Sequence, residues 1–192
     1  MDVRAAGSRA VTDRRRALPL LVTGGTCGLA WSAGLRGFMA QVAGPESAVT
    51  WGGTFGWILL PGVAVGVLLA WAEHLRRTAS GRRRRWLALS PLLLASVLLP
   101  GVLDPGNFLA GGIGGGALAV PLFAMAGGYA LAPDGRGWLR TTCGIVALIP
   151  IPAWTLTQVR TVDPRQAWIA VYFWSLLAVL SLAASIPHRR AY

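Results

Sequence analysis

"LPLLVTGGTCGLAWSAGLRGFMAQVA", from Leu18 to Ala43, decides the fold. Its 26 residues are mostly apolar and carry one charge, Arg36. Fully helical, the stretch would be about 39 Å long, more than the ~30 Å hydrocarbon core of a bilayer. A secretory h-region has only ~7–15 apolar residues, so the stretch reads as a membrane span and not as a cleaved leader. Arg14-Arg15-Arg16 ahead of it resembles a twin-arginine signal only faintly.

Five more apolar blocks follow. With the first, they predict spans at about 18–43, 51–72, 86–103, 108–132, 138–158 and 167–186. The 192 residues are 54% hydrophobic and 13% charged, where soluble domains carry about 25% charged residues. The expected fold is therefore all-α: a polytopic membrane protein of six transmembrane helices with short loops. A basic cytoplasmic tail (1–17) precedes a single membrane domain (18–187), and a short cytoplasmic tail (188–192) follows it.

All 18 basic residues are arginine, and the net charge is +11. Assigned to the gaps between spans, 15 arginines fall on one side and two, Arg160 and Arg165, on the other. Cytoplasmic loops are enriched in basic residues, so both termini are expected in the cytoplasm of a bacterial inner membrane. Arg76, Arg77, Arg82, Arg83, Arg84 and Arg85 would anchor the second gap to anionic headgroups. That placement accounts for "GRRRRW" (Gly81 to Trp86) without a nucleic acid. Trp51, Trp71, Trp86, Trp138, Trp154 and Trp168 lie close to span ends, as an interfacial aromatic belt would. Trp31, Trp57 and Trp174 lie deeper and are expected between helices.

Small residues recur every four positions in the first span: Gly24, Gly28, Ser32, then Arg36 and Ala40. Such a stripe lets helix backbones approach closely. The second span repeats the device with Gly52 and Gly56, then Gly62, Gly66 and Ala70. "GGIGGGA" (Gly111 to Ala117) matches a degenerate dinucleotide fingerprint. Without a βαβ unit around it the match has no meaning. Gly112 and Gly116 are instead expected either to pack against a helix or to permit an unwound helix lining a cavity. Kinks are expected at Pro61, Pro121, Pro150 and Pro152. The two three-span halves partly repeat, running Gly-rich, Pro-broken, then Leu/Ala/Ser-rich. An inverted repeat would leave such a pattern, but Gly and Pro are frequent in all membrane helices and coincidence is the favoured reading.

An arginine at a helix centre costs about 2.5–3.5 kcal/mol on insertion scales. Arg36 could snorkel to the outer interface, attract an anion, or pair with a carboxylate. Glu46 is the expected partner and Asp104 the second choice, with Thr54 completing an outer polar cluster. On the inner side Glu73 and Arg77 stand i,i+4, with His74 beside them. Cys27 and Cys143 fall inside spans and read as small buried side chains. No HExxH, His cluster or GxSxG occurs, and Ser32, Ser90 and Ser96 have no evident base. No metal, cofactor or catalytic residue is expected.

"LRGFMAQVAGPESAVTWGGTF" (Leu35 to Phe55) resembles a pattern in small bacterial multi-span membrane proteins without an assigned activity. In that pattern Arg-Gly-aromatic-Met ends the first span, and a Pro-Glu turn leads to a Trp and a Gly-Thr start of the second. The resemblance implies that Arg36, Glu46 and Thr54 form one unit. The expected role is a small permease-like bundle for a solute or lipid. A non-transporting accessory protein is the alternative, and an intramembrane lipid-modifying enzyme the third reading. The expected partners are the bilayer with its anionic headgroups, and a membrane protein or a second copy of the chain; nucleic acid is not expected.

Overall fold

The computed structural model describes residues 3–77, 86–99, 114–133, 135–158 and 163–189. Every element among them is helical. They are α1 (Val3–Ala43), a 3-10 turn (Gly44–Glu46), a π-helical stretch (Trp51–Leu59) running into α2 (Leu60–Arg77), a 3-10 helix (Leu87–Leu98), α3 (Gly114–Ala130), α4 (Gly137–Leu148), α5 (Pro150–Gln158), α6 (Pro164–Ala184) and a closing 3-10 turn (Ile186–His188). Three helices are long and apolar enough to cross a membrane: Ala17–Ala43, Trp51–Arg77 and Pro164–His188. Leu87–Leu98, Gly116–Ala130 and Gly137–Ala153 are apolar but shorter.

Several sequence expectations change. The helical backbone of α1 begins at Val3, within the stretch read as a basic tail, and Pro19 lies inside the helix. Pro61 marks a change of register more than a simple kink. The amide of Leu60 bonds the carbonyl of Phe55, an i→i+5 contact, and α-helical pairing starts just where the proline nitrogen has no hydrogen to give. Pro121 is fully buried within α3. Pro150 ends one helix and opens the next, the position where a proline costs least. Pro152 falls in the first turn of α5, where its missing N–H would have no intrahelical partner in any case.

Glycine contacts fix how the helices run. A Cβ added at Gly24 would strike Ala70 and Gly66, one at Gly28 would strike Gly62, and one at Gly62 would strike Ser32. Rising numbers on α1 meet falling numbers on α2, so the two are antiparallel with backbones in contact. Helix α6 also runs antiparallel to α1: the Trp31 indole donates to the Leu176 carbonyl at 2.8 Å, while Phe38 packs on Tyr172 and Phe173. Tyr172 seats its hydroxyl in a notch beside Gly34 and Gly37 and donates to the Gly34 carbonyl at 2.7 Å. Helix α3 runs parallel to α6, with Gly127 at Ser181, Gly128 at Ala184 and Tyr129 at His188. Helix α4 returns antiparallel to α3, Gly144 facing Ala130 and Ala147 facing Gly127.

These directions sort the charges by end. Arg76, Arg77, Arg136, Arg140 and Arg189 collect at one end, and Arg36 and Arg165 lie toward the other. The core between α2, the 3-10 helix, α3 and α6 is Val65, Leu69, Leu94, Ala124, Leu177 and Leu180. Outside it, Leu18, Leu60, Leu122, Ile145, Leu148, Leu156 and Leu182 are each about half exposed or more. Apolar cover on this scale is foreign to a surface meeting water and fits one meeting lipid. Trp51, Trp86, Trp138 and Trp168 are exposed near helix ends, where the aromatic belt was expected. Trp31 packs between helices; the side chain of Trp154 lies outside the described residues.

Candidate functional site

Three places have the chemistry to act. The first is the cluster around Arg36. Arg36, about two turns before the end of α1, reaches across to the chain that enters the next long apolar helix. Its Nη1 donates to Ser47 Oγ at 2.8 Å, its Nη2 to the Ala48 carbonyl at 2.6 Å and its Nε to Thr54 Oγ1 at 3.4 Å. Thr54 is buried, and Thr50 caps the π-helical stretch by accepting from the Gly53 amide. Arg36 and Thr54 therefore meet. Ser47 and the Ala48 carbonyl complete the site; the serine in the "PES" turn was the signal that could have found them. The expected carboxylate partners, the Glu46 side chain and Asp104, lie outside the described residues. All the guanidinium bonds shown go to neutral oxygens.

The second place is a cavity made by the same glycines that join α1 to α2. Residues without side chains bring two backbones together and also leave the seam beside them bare. The result is a partly open cavity of about 390 Å³ between α1, α2, the 3-10 helix and α6. Gly24, Cys27 and Gly28 form one wall, Val65 and Leu69 another, and Val179 and Leu180 a third. Trp31 lies at one limit, and Leu20, Glu73 and Ile186 at the other. The wall is almost wholly apolar; an apolar cavity stays dry and accepts an apolar guest. Cys27 is exposed here and not buried, contrary to expectation, and Cys143 is half-buried. Gly52, Gly56 and Gly116 make no such contact: a Cβ at any of them would meet nothing within 4 Å. Spacing alone assigned them a packing role, but their faces point away from the seam. Gly112 lies outside the described residues.

The third place is the end of the cavity closed by Glu73. Glu73 takes two bonds from Arg76, from Nε and Nη2, each at 2.7 Å, and one from Arg77 Nε at 2.8 Å. The i,i+4 partner was legible; the i,i+3 partner was not. Arg76 was expected to reach headgroups, yet it is buried on the face of α2 that carries Leu69, Ala72 and Leu75, at the end packed against the closing 3-10 turn. Burial and the carboxylate within one turn fold it inward. Arg77 is 56% exposed and keeps the outward position. His74 stacks near Trp71 at 5.4 Å. Arg82, Arg83, Arg84 and Arg85 lie outside the described residues.

Nucleophilic chemistry finds little here. The Ser32 hydroxyl donates to the Leu29 carbonyl, and the Ser90 and Ser96 hydroxyls are buried with no hydrogen-bond partner among the described residues. No group of three or more His, Cys, Asp or Glu side chains gathers among them. No protein-family model, no curated protein and no solved structure matches the chain.

Proposed function

We propose that the chain is a six-span protein of the bacterial cytoplasmic membrane, with both ends in the cytoplasm, working as a small permease-like bundle for a lipid or apolar solute. The observation that carries this reading is the apolar cavity opened beside the α1–α2 glycine seam. A cavity so poor in polar groups favours an apolar or amphipathic guest over a sugar or an ion.

Six crossings draw support from helix direction. The α1–α2 pair, α3, α4 and α6 alternate as six consecutive spans would, and the alternation brings Arg76, Arg136 and Arg189 to one end, as the positive-inside rule asks. The short third element gains length from its 3-10 geometry: 12 residues cover about 24 Å at ~2.0 Å per residue, against about 18 Å as an α-helix. Helices α4 and α5 follow one another across Ile149 and together suffice for a crossing.

Reconstitution tests the permease reading. Vesicles holding the protein should move a fluorescent lipid analogue between leaflets faster than protein-free vesicles. Val179→Trp, a change at an exposed position that fills the cavity, should return the rate to background without lowering thermal stability. A filled cavity with an undiminished rate would refute the reading. An accessory role is the second reading, because the open faces of Gly52, Gly56 and Gly116 leave room for a helix of a partner. It predicts a partner that co-purifies and no lipid movement.

A further inference from the structure

We propose that the cavity holds the single acyl chain of an anionic amphiphile from the inner leaflet, with the headgroup seated at Arg77. This rests on reading the cavity as a ligand site and its arginine-rich end as cytoplasmic.

Length comes first. The α1 wall runs from Leu20 to Trp31, about 16 Å of helix. That is roughly half of the ~30 Å hydrocarbon core, the depth of one leaflet. A guest bridging both leaflets would not fit, whereas a chain lying in one leaflet would. Volume agrees. At about 390 Å³ the cavity stands at the low end of ~300–1,000 Å³ ligand sites, with room for one chain and not a pair.

Charge selects the head. Glu73 closes the inner end and is matched by two guanidiniums, so the trio keeps one net positive charge. Arg76 spends its fork on the carboxylate and is buried. Arg77 shares one bond with Glu73 and stays more than half exposed. The excess charge therefore stands on Arg77, one turn beyond the lining residue Glu73 and bonded to it, on the side chain that faces outward. A basic side chain at the membrane surface attracts an anionic lipid by about 1 kcal/mol. The chain fixes depth, and Arg77 fixes the sign of the head.

Photo-crosslinking of the full chain in a zwitterionic bilayer tests this. The probes are two single-chain lipids with a diazirine midway along the tail, one with a phosphoglycerol head and one with a phosphocholine head. Cross-links should fall on the cavity wall, at Thr23 to Trp31 and Val179 to Ala183. The phosphoglycerol probe should outyield the other by about fivefold, the equivalent of roughly 1 kcal/mol. Arg77→Gln should abolish that preference. Arg136→Gln, at an exposed arginine of the α3–α4 connection at the same end, which makes no bond to Glu73, should keep it. Equal yields for the two heads in the parent chain would overturn the headgroup assignment. Cross-links spread evenly over outward positions such as Ile145 and Leu148 would overturn the occupancy, marking ordinary surrounding lipid. A preference surviving Arg77→Gln would move the seat elsewhere and refute the proposal. Because cross-linking reports occupancy and not movement, a chain that binds here yet moves no lipid would remove the permease reading alone.

Discussion

A guanidinium near the middle of an apolar run is tolerated when its hydrogens find fixed acceptors. Arg36 finds three, two on the linker after α1 and one at the head of the second span. It works as a strut that sets where the next helix begins. Arg36→Leu should therefore lower the stability of the folded bundle by about 1.5–3 kcal/mol, the range for hydrogen bonds to a charged group. Arg36→Lys should rescue little, since an ammonium on a flexible stem does not reproduce the planar fork. Thermal unfolding in detergent checks both; full stability of the leucine variant would remove the strut. Glu73 is the second residue with such weight. Glu73→Gln leaves Arg76 buried beside a neutral amide and should cost about 1.5–3 kcal/mol, whereas Arg77→Gln, at a half-exposed position, should cost under about 1 kcal/mol. Equal costs for the two would mean that burial of Arg76 is irrelevant. The Arg36–Thr54 meeting was legible because the residues bracket a short turn. Ser47 and Ala48 were missed because an extended linker gives no periodic signal, and the serine of the "PES" turn was the one local cue. Arg76 was misread because a sequence shows charge and omits burial.

Helix pairing follows from the spacing of residues that lack side chains. Gly24, Gly28 and Ser32 on α1 meet Ala70, Gly66 and Gly62 on α2 in reverse order, backbone against backbone. Backbone atoms cannot turn aside as a flexible side chain can. Gly28→Leu should therefore force the helices apart and cost about 3 kcal/mol or more, while Gly116→Leu, whose Cβ has open space, should change stability by less than about 0.5 kcal/mol. Melting temperatures of the two variants measured side by side decide this; similar losses would mean that the seam is not the tight contact. Four-residue spacing singled out Gly24, Gly28 and Ser32 on α1, and on the second span Gly62, Gly66 and Ala70 together with Gly52 and Gly56, which make no such contact. It could not tell Gly62 and Gly66 from Gly52 and Gly56, because the π-helical stretch before Leu60 shifts the register of everything ahead of it. Prolines were equally partial signals: Pro150 divides two helices, while Pro152 sits harmlessly in a first turn.

At the scale of the whole molecule, a skin of leucine, valine and tryptophan surrounds a small apolar core, and an apolar cavity runs beside the glycine seam. The membrane character was legible from composition, but the cavity was not, since it arises from which faces meet and not from any motif. The orientation of α6 against α1 bears most on the account. Three crossings alone would run the last helix in the same direction as the first and leave the termini on opposite sides. On the proposed reading that both helices cross the membrane, the antiparallel contacts of Trp31 with Leu176 and of Phe38 with Tyr172 correspond to an even number of crossings. Paired reporter fusions in cells, one after Tyr192 and one at Asp163, test this most directly. The account predicts a cytoplasmic signal after Tyr192, on the same side as the N-terminus, and an external signal at Asp163; an external signal after Tyr192 would contradict it.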